Sequence, residues 1–575
     1  MSIALGQMEV VQGNPVRNKQ TMLEMIGEAK KEGADLIVFP EAALSGLMVG
    51  DNLRHHGFAT DCQVFCREIA VAAQDIVVVF GTVEEREHKL YNAVYMAIDG
   101  ELGRLEAPMG ESFAPGLYDH LEHTDDAKLY HLQINGKIYC TGFLLGDWRN
   151  KDLPFSEGDT DLLINLAARP LLLDDEQLQP TIPGRPMVRV NCTGLASRGK
   201  YNYLYSGGSY IVDAKGFITH AAPFLQSLVL NCHRNMPQLS AKLAAEELLT
   251  AGLIAGTKLF CEKIGVKRAV IGISGGIDSA LAACVYTRAL GANNVMLLNM
   301  PTKYNSGMTK NYAERMAKAL HTNYFYLPIQ NQVDEMNSFF TVHTGETPQG
   351  NPLKLTLDSF AMENIQSRER TRLLAAAAAA WKAVFTCNSN KAELAVGYCT
   401  FYGDLAGAFA AAADLWKYQV YQAAQKMQEY YPTAPLNEII ALRPSAELSF
   451  SQDVTKGLGD PLHYQYHDYL LRAWVEKRLD LTDVLYYYQR GELAQIIGCE
   501  EDVLKQLFSS NAAFIADTEY WWGMYNNIGV AKRYQAPPML ALSRYPLGAT
   551  CPEMQVPGYV SQEFQNMKNQ LTGGK

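Results

Sequence analysis

Short β-branched and aromatic runs at residues 35–39, 75–80, from 137 onward, 161–165 and 208–213 alternate with amphipathic stretches of helical period across roughly the first 230 residues. That alternation predicts strands interleaved with helices, a layered α/β domain. From about residue 250 the pattern resumes differently. Apolar runs at 269–272, 294–301 and 383–386 each read as a buried strand, and the first turns at two glycines into an alanine- and leucine-rich helix. Continuous apolar strands joined by helices predict an open, doubly wound parallel sheet, whose ligand crevice faces the carboxyl ends of its strands. A polar, helix-prone passage containing Pro237 lies between the two patterns. The predicted organisation is therefore a first domain over 1–232, a linker over 233–247 and a second domain over 248–575.

At 575 residues the chain exceeds what one hydrophobic core serves, which agrees with two domains. A net charge of -11 supplies no broad basic surface, so neither nucleic acid nor an acidic membrane is expected as a partner, and any polyanionic ligand must be held locally. No window approaches the roughly twenty apolar residues of a membrane span, and the start, Met1-Ser2-Ile3-Ala4, does not read as a secretion signal. The 11 cysteines form no Cys-x-x-Cys pair, Cys62 and Cys66 are four apart, and Cys232-His233 stands isolated. Reduced thiols in a cytoplasmic protein are expected rather than a zinc site or disulfides.

Candidate chemistry concentrates in the second pattern. In Ser274-Gly275-Gly276-Ile277-Asp278-Ser279 the glycines let backbone approach a ligand, the helix start offers unpaired N–H groups, and two serines add hydroxyls. This is an anion cradle. Asp278 would repel a polyphosphate unless a divalent cation such as Mg²⁺ sat between them, so a metal is implied. The spacing is neither that of the loop ending in Gly-Lys-Ser/Thr nor that of the three-glycine dinucleotide fingerprint. Downstream, Glu363, Gln366 and Arg370 share one helical face, and Asn364, Arg368 and Arg372 share another. These arginines suit either a phosphate or carboxylate clamp or an ordinary solvated helix. Glu393, in Asn390-Lys391-Ala392-Glu393, suits either a second metal carboxylate or a helix-capping acid.

The Ser-Gly-Gly-x-Asp-Ser loop after a buried strand resembles that of the ATP pyrophosphatases. Followed in order by Glu363-Asn364-Ile365-Gln366-x-Arg368-x-Arg370, by Asn390-Lys391-x-Glu393 with Gly397-Tyr398-x-Thr400-x-Tyr402-Gly403-Asp404, and by Pro444-Ser445-Ala446-Glu447-Leu448, it resembles the NAD⁺ synthetase family over roughly residues 240 to 550. The resemblance implies ATP-dependent amidation of deamido-NAD⁺ through an acyl adenylate, with ATP and Mg²⁺ as cofactors and AMP and pyrophosphate released. It implies that Ser274, Gly275, Gly276, Asp278 and Ser279 hold the ATP phosphates, that Asp278 and Glu393 hold the metal, and that Arg368, Thr400 and Ser445 contact ATP. Arg370, Glu363 and Asp404 fall to the dinucleotide, and Asp278, Lys417 and Asp404 to catalysis. An alanine-rich run at 408–413, just before Asp414, departs from the family pattern and bears on the dinucleotide contacts.

The first half, through residues 33–46 around Glu41, Leu90-Tyr91-Asn92-Ala93, Asn165 to Pro170 and Gly207-Gly208-Ser209, resembles the nitrilase-like amidases, an αββα sandwich with a Glu, Lys and Cys triad. That pairing is the arrangement of the glutamine-dependent NAD⁺ synthetases, in which the first domain releases ammonia. Here Glu41 stands alone. The lysine position falls at Ala107, inside a stretch without lysine between Lys89 and Lys128, and the cysteine position falls at Gly146. Cys140, six residues earlier, reads as a structural thiol. The expectation is an enzyme that uses free ammonia or ammonia from a separate glutaminase, with the first domain kept as a scaffold for a homo-oligomer. The alternatives are a glutamine-dependent synthetase with a rearranged amidase site, a ligase for another carboxylate, and a non-catalytic nucleotide-binding assembly protein.

Overall fold

The computed structural model describes residues 1–110, 121–122, 126–148, 153–156, 158–173, 186–213, 218–221, 228–232, 244–548 and 559–573. Contacts divide the chain into two units, one of residues 1–198 and 202–243 and the other of 199–201 and 244–575. Most of the predicted linker, 233–243, lies outside the described residues. Its last residues do not belong to a linker: the helix Ala245–Lys263 begins there, with Glu246 and Glu247 in its first turn. Glutamates at a helix start complement its dipole, and Glu247 also pairs with Lys426 at 2.9 Å.

In the first unit, Ile3–Gln7, Leu36–Val38 and Val77–Arg86 form the parallel centre of one sheet, flanked by antiparallel neighbours. A second sheet has Met187–Asn191, Leu162–Ala167 and Lys137–Leu145 as its parallel centre. Leu5, Val38, Val79 and Val94 of the first sheet share one core with Phe143, Ile164, Leu166 and Val188 of the second. The alternating side chains of each strand thus divide between this shared layer and the outer faces. The helices Pro15–Lys31 and His56–Ala72 pack on the first sheet. No helix against the outer face of the second sheet is among the described residues.

The second unit carries a four-stranded parallel sheet in the order Asn323–Tyr326, Val295–Asn299, Ala269–Gly272, Val384–Phe385. Ala269, Val270 and Ile271 are buried, as a central strand covered on both faces requires. The alanine-rich run is not a substrate-facing loop. Residues 409–413 are buried, the Ala408 N–H donates to the Phe385 carbonyl at 2.9 Å, and the Cys387 N–H donates to the Phe409 carbonyl at 3.2 Å. The segment therefore lies against the edge of the sheet, where small side chains allow backbone to approach backbone. The Phe409 ring stacks on Phe260 with centroids 3.9 Å apart. Among the described residues no helix is long and apolar enough to cross a membrane, and the cysteines recorded there are free thiols.

Candidate active site

The two glycines make the loop. Gly275 adopts φ +89, and a Cβ there would run into the Thr309 carbonyl, so this position has room and conformation for glycine alone. Gly276 then caps the helix Ile277–Leu290. Ser274 Oγ and Ser279 Oγ lie 3.1 Å apart, the Gly276 N–H donates to Ser274 Oγ, and Ser279 Oγ donates to the Gly276 carbonyl at 2.9 Å. The loop is held by its own hydroxyls around a helix N-terminus.

It lines a cavity of about 550 Å³ at the carboxyl ends of the strands. On one wall the Lys417 Nζ lies 2.5 Å from Asp278 Oδ2 and 3.8 Å from Glu393 Oε1. Asn390 Nδ2 donates to the other oxygen of Asp278 at 3.1 Å. Glu393 also serves as the capping acid: Asn390 Oδ1 accepts its N–H at 3.1 Å, and its carboxylate accepts the Asn390 N–H. The capping reading of Glu393 is what these contacts show, and the same carboxyl group faces Lys417. Burial, reinforced by the nearby Asp278 charge, holds the Glu393 carboxyl well above its ordinary range. Burial alone would strip the Lys417 proton, but Asp278 and Glu393 more than reverse that and hold the ammonium charged. Two hard-oxygen carboxylates already share a cation, which fits the one or two carboxylates by which Mg²⁺ is usually bound alongside substrate phosphates. Among the described residues no group of three or more His, Cys, Asp and Glu side chains is placed to hold a metal ion.

The helix Ser359–Trp381 crosses beside this wall and sorts the predicted clamp by face. Glu363 and Arg370 line the cavity. Arg370 Nε donates to the Met300 carbonyl at 3.1 Å, and burial draws its guanidinium down to about 10. Arg368 does not line the cavity; its Nε donates to the Phe401 carbonyl at 3.0 Å, so its assignment to ATP is not what its position favours. A shift of two residues turns a helical side chain by about 200°, which separates the two arginines. Asp404 accepts the Thr400 N–H at 2.7 Å and the Ser367 hydroxyl at 3.1 Å, and burial raises its carboxyl. Thr400 and Ser445 also line the cavity.

In the first unit Glu41 and Gly146 lie near each other. Glu41 is 3% exposed; one oxygen accepts Asn92 Nδ2 at 2.7 Å and the other the Ala168 N–H at 3.1 Å. The Leu145 N–H donates to the Pro108 carbonyl at 3.1 Å, bringing the Ala107 segment beside the strand that ends before Gly146. Gly146 has φ +73 and offers no side chain. Burial, opposed by the Asn92 hydrogen bond, raises the Glu41 carboxyl to about 7. The thiol whose surroundings include the Glu41 charge belongs to Cys192, not Cys140, and burial followed by that charge pushes it far above the thiolate range. Arg189, 1% exposed, is a cation that Glu41 feels, and its guanidinium lies 3.7 Å from Asp147.

Comparison with known proteins joins these two halves. Residues 253–498 match the NAD synthase family, and residues 2–120 match the carbon-nitrogen hydrolase family. The chain is 27% identical over 518 residues to the glutamine-dependent NAD(+) synthetase of Xylella fastidiosa, covering 84% of this chain and 90% of that one. The fold is similar to that of a glutamine-dependent NAD(+) synthetase from Cytophaga hutchinsonii, with a TM-score of 0.75 at 16% identity over 99% of each chain. It is also similar to a glutamine-dependent NAD+ synthetase from Acinetobacter baumannii in complex with adenosine diphosphate, with a TM-score of 0.66 at 23% identity over 86% of this chain and 92% of that one.

The two units thus carry, in order, the two matches that the two-domain NAD synthetases combine. The activity those matches support is that of a carbon-nitrogen ligase.

Three further polar groups, Asp460 and Glu447 lining this cavity and Lys391 outside its lining, take their places from the fold. Asp460 accepts the Tyr398 hydroxyl, the Ala446 N–H and the Tyr464 hydroxyl at 3.3, 3.1 and 3.2 Å, tying three loops together. Glu447 holds a left-handed backbone at φ +47 while accepting the Ser306 N–H at 3.1 Å and the Thr309 hydroxyl at 2.7 Å. That strained conformation persists because the carboxylate is fixed at the start of the neighbouring helix. Lys391, fully buried, pairs with Asp414 at 2.9 Å and Glu476 at 3.2 Å. The motifs containing Glu447 and Lys391 were visible in the chain; their partners, from 23 residues away at Asp414 to 141 at Ser306, were not.

Proposed function

We propose that this chain forms NAD⁺ by ATP-dependent amidation of deamido-NAD⁺ and takes its nitrogen from ammonia rather than from glutamine hydrolysed in its own first domain. The observation that carries the first part is the meeting of Asp278, Glu393 and Lys417 on the cavity wall beside the glycine loop. A carboxylate is a poor acyl donor because its leaving group would be oxide. Attack of the nicotinate oxygen on the α-phosphorus of ATP breaks the bond to the β-phosphate oxygen, releases pyrophosphate and leaves an acyl adenylate. Ammonia then adds to the acyl carbon, loses a proton, and AMP departs.

In this reading the loop N–H groups and the Ser274 and Ser279 hydroxyls orient the phosphates, and Lys417 meets the charge that develops on the leaving pyrophosphate. Asp278 and Glu393 would hold Mg²⁺, which when bound neutralises phosphate charge. Arg370 and Asp404, both lining the cavity, fall to the dinucleotide side. That the Acinetobacter baumannii protein was solved in complex with adenosine diphosphate supports nucleotide binding in this reading.

The second part rests on Ala107 and Gly146. Acyl transfer from glutamine needs a thiolate to attack, a carboxylate to take its proton and a cation at the oxyanion. Glu41 has neither partner at those positions, and the Cys192 thiol that shares its surroundings is held protonated. The relatives named above are glutamine-dependent by name, so the nitrogen source is where this chain is proposed to depart from them. The test is product analysis with deamido-NAD⁺ and ATP, supplying ammonium and glutamine separately. NAD⁺, AMP and pyrophosphate should form with ammonium and not with glutamine. Glutamine supporting turnover as well as ammonium overturns the nitrogen assignment, and turnover without AMP overturns the adenylate.

A further inference from the structure

Lys417 is the first residue of the helix Lys417–Tyr430, so the direction of its side chain is set by how that helix begins. The first N–H groups of any helix lack partners inside it. The preceding residue, Trp416, has an indole that can donate but not accept, so it cannot cap them. Its ring is instead turned away and donates to Glu476 Oε1 at 2.7 Å. The missing acceptor comes from another helix, Tyr464–Val475. Asp468 of that helix is fully buried, its Oδ2 accepts the Tyr418 N–H at 2.8 Å, and the Lys417 N–H is directed at the same carboxylate. Among the described residues its other oxygen has no hydrogen-bond partner. A carboxylate taken so far out of water costs free energy unless the contact it makes is useful.

The same helix supports Lys417 from below. The Tyr464 ring centroid lies 4.9 Å from the Lys417 ammonium, a cation–π contact. Three points on one short stretch of chain, Tyr464, Asp468 and Glu476, therefore fix the end of the helix that carries the lysine.

We propose that Asp468 is a positioning residue for the synthetase reaction, holding the first turn of the Lys417–Tyr430 helix so that the Lys417 ammonium reaches Asp278 and Glu393. The catalytic consequence rests on the reading of Lys417 given above; the positioning itself does not. Burial raises the Asp468 carboxyl to about 7, in keeping with a group that retains its place through hydrogen bonding rather than charge. An amide oxygen should therefore replace it, and a methyl should not.

The experiment has two arms on the full chain. In the first, amine acetylation mapped by mass spectrometry reports whether Lys417 stays protected. Wild type and Asp468→Asn should protect it, while Asp468→Ala, or Asp468→Ser if the alanine variant does not fold, should expose it. Unchanged protection in the folded short-side-chain variant overturns the proposal. In the second arm, the ammonium-supported rate is measured for Asp468→Ala, Lys417→Met and the double variant. Asp468→Ala should lower kcat by about tenfold or more, the scale of a small misplacement of a reacting group, and should add little once Lys417 is gone. Equal slowing in both backgrounds overturns transmission through Lys417. Exposure of Lys417 with an unchanged rate leaves the positioning intact and removes Lys417 from the chemistry instead.

Discussion

Glu41 in the first unit and Asp278 in the second both follow a buried central strand of a parallel sheet, yet their surroundings differ. Glu41 accepts from an amide and a backbone N–H, is 3% exposed, and keeps its proton up to about pH 7. Asp278 faces a cavity of about 550 Å³ and has a lysine ammonium 2.5 Å away, with a second carboxylate sharing that ammonium. A strand-end carboxylate acquires chemistry from what stands opposite it. Glu41, with Ala107 and Gly146 at the positions proposed for its partners, is a buried, hydrogen-bonded acid.

The contrast can be broken most sharply at Asp278. Asp278→Asn should lower the ammonium-supported rate by about 10²- to 10³-fold, the usual range for removing one strong electrostatic contact at a transition state, read as NAD⁺ formed per minute. A rate near wild type would put the two carboxylates on the same footing. Next in size is the loop. Gly275→Ala forces a Cβ against the Thr309 carbonyl at φ +89, and a denaturant titration should show roughly 1–3 kcal/mol of lost stability together with weakened ATP binding.

For Glu41 the expected effect is on stability. Its carboxyl ionises near 4.5 when unfolded and near about 7 when folded, so between those values the folded state binds more protons and stability falls as pH rises. The loss is of the order of 3 kcal/mol by pH 7 and absent below 4.5. Glu41→Gln should flatten that slope in thermal melts of the full chain. The smallest effect closes the comparison: the same substitution should leave the ammonium-supported rate within about twofold of wild type, as expected of a site independent of the one that turns over.

Much of this was legible in order along the chain. Ser274 to Ser279 announced a strand, a tight turn and a helix start because glycine at +89 and a run of apolar residues leave few other conformations. Ala107 and Gly146 were equally plain as residues that carry neither an ammonium nor a thiol; that they occupy the amidase positions is the reading proposed above. Arg368 was less so: it and Arg370 stand two apart in one motif, and only the packing of their helix put one at the cavity and the other on the Phe401 carbonyl. The alanines at 408–413 looked like an altered substrate loop and proved to be a sheet-edge segment, because smallness serves backbone packing as well as it serves a loop.

By itself, then, the sequence determined the strand and helix alternation, the glycine loop with its acid, and the presence of alanine and glycine at positions 107 and 146, all of which depend on a residue and its near neighbours. The tertiary structure alone decided that Lys417 lies between Asp278 and Glu393, that Glu393 both caps a helix and faces the lysine, and that Asp468 holds the turn from which the lysine extends. Those pairings join residues up to 139 positions apart, and a pairing across that distance is chosen by how sheets and helices pack, for which local pattern carries no signal.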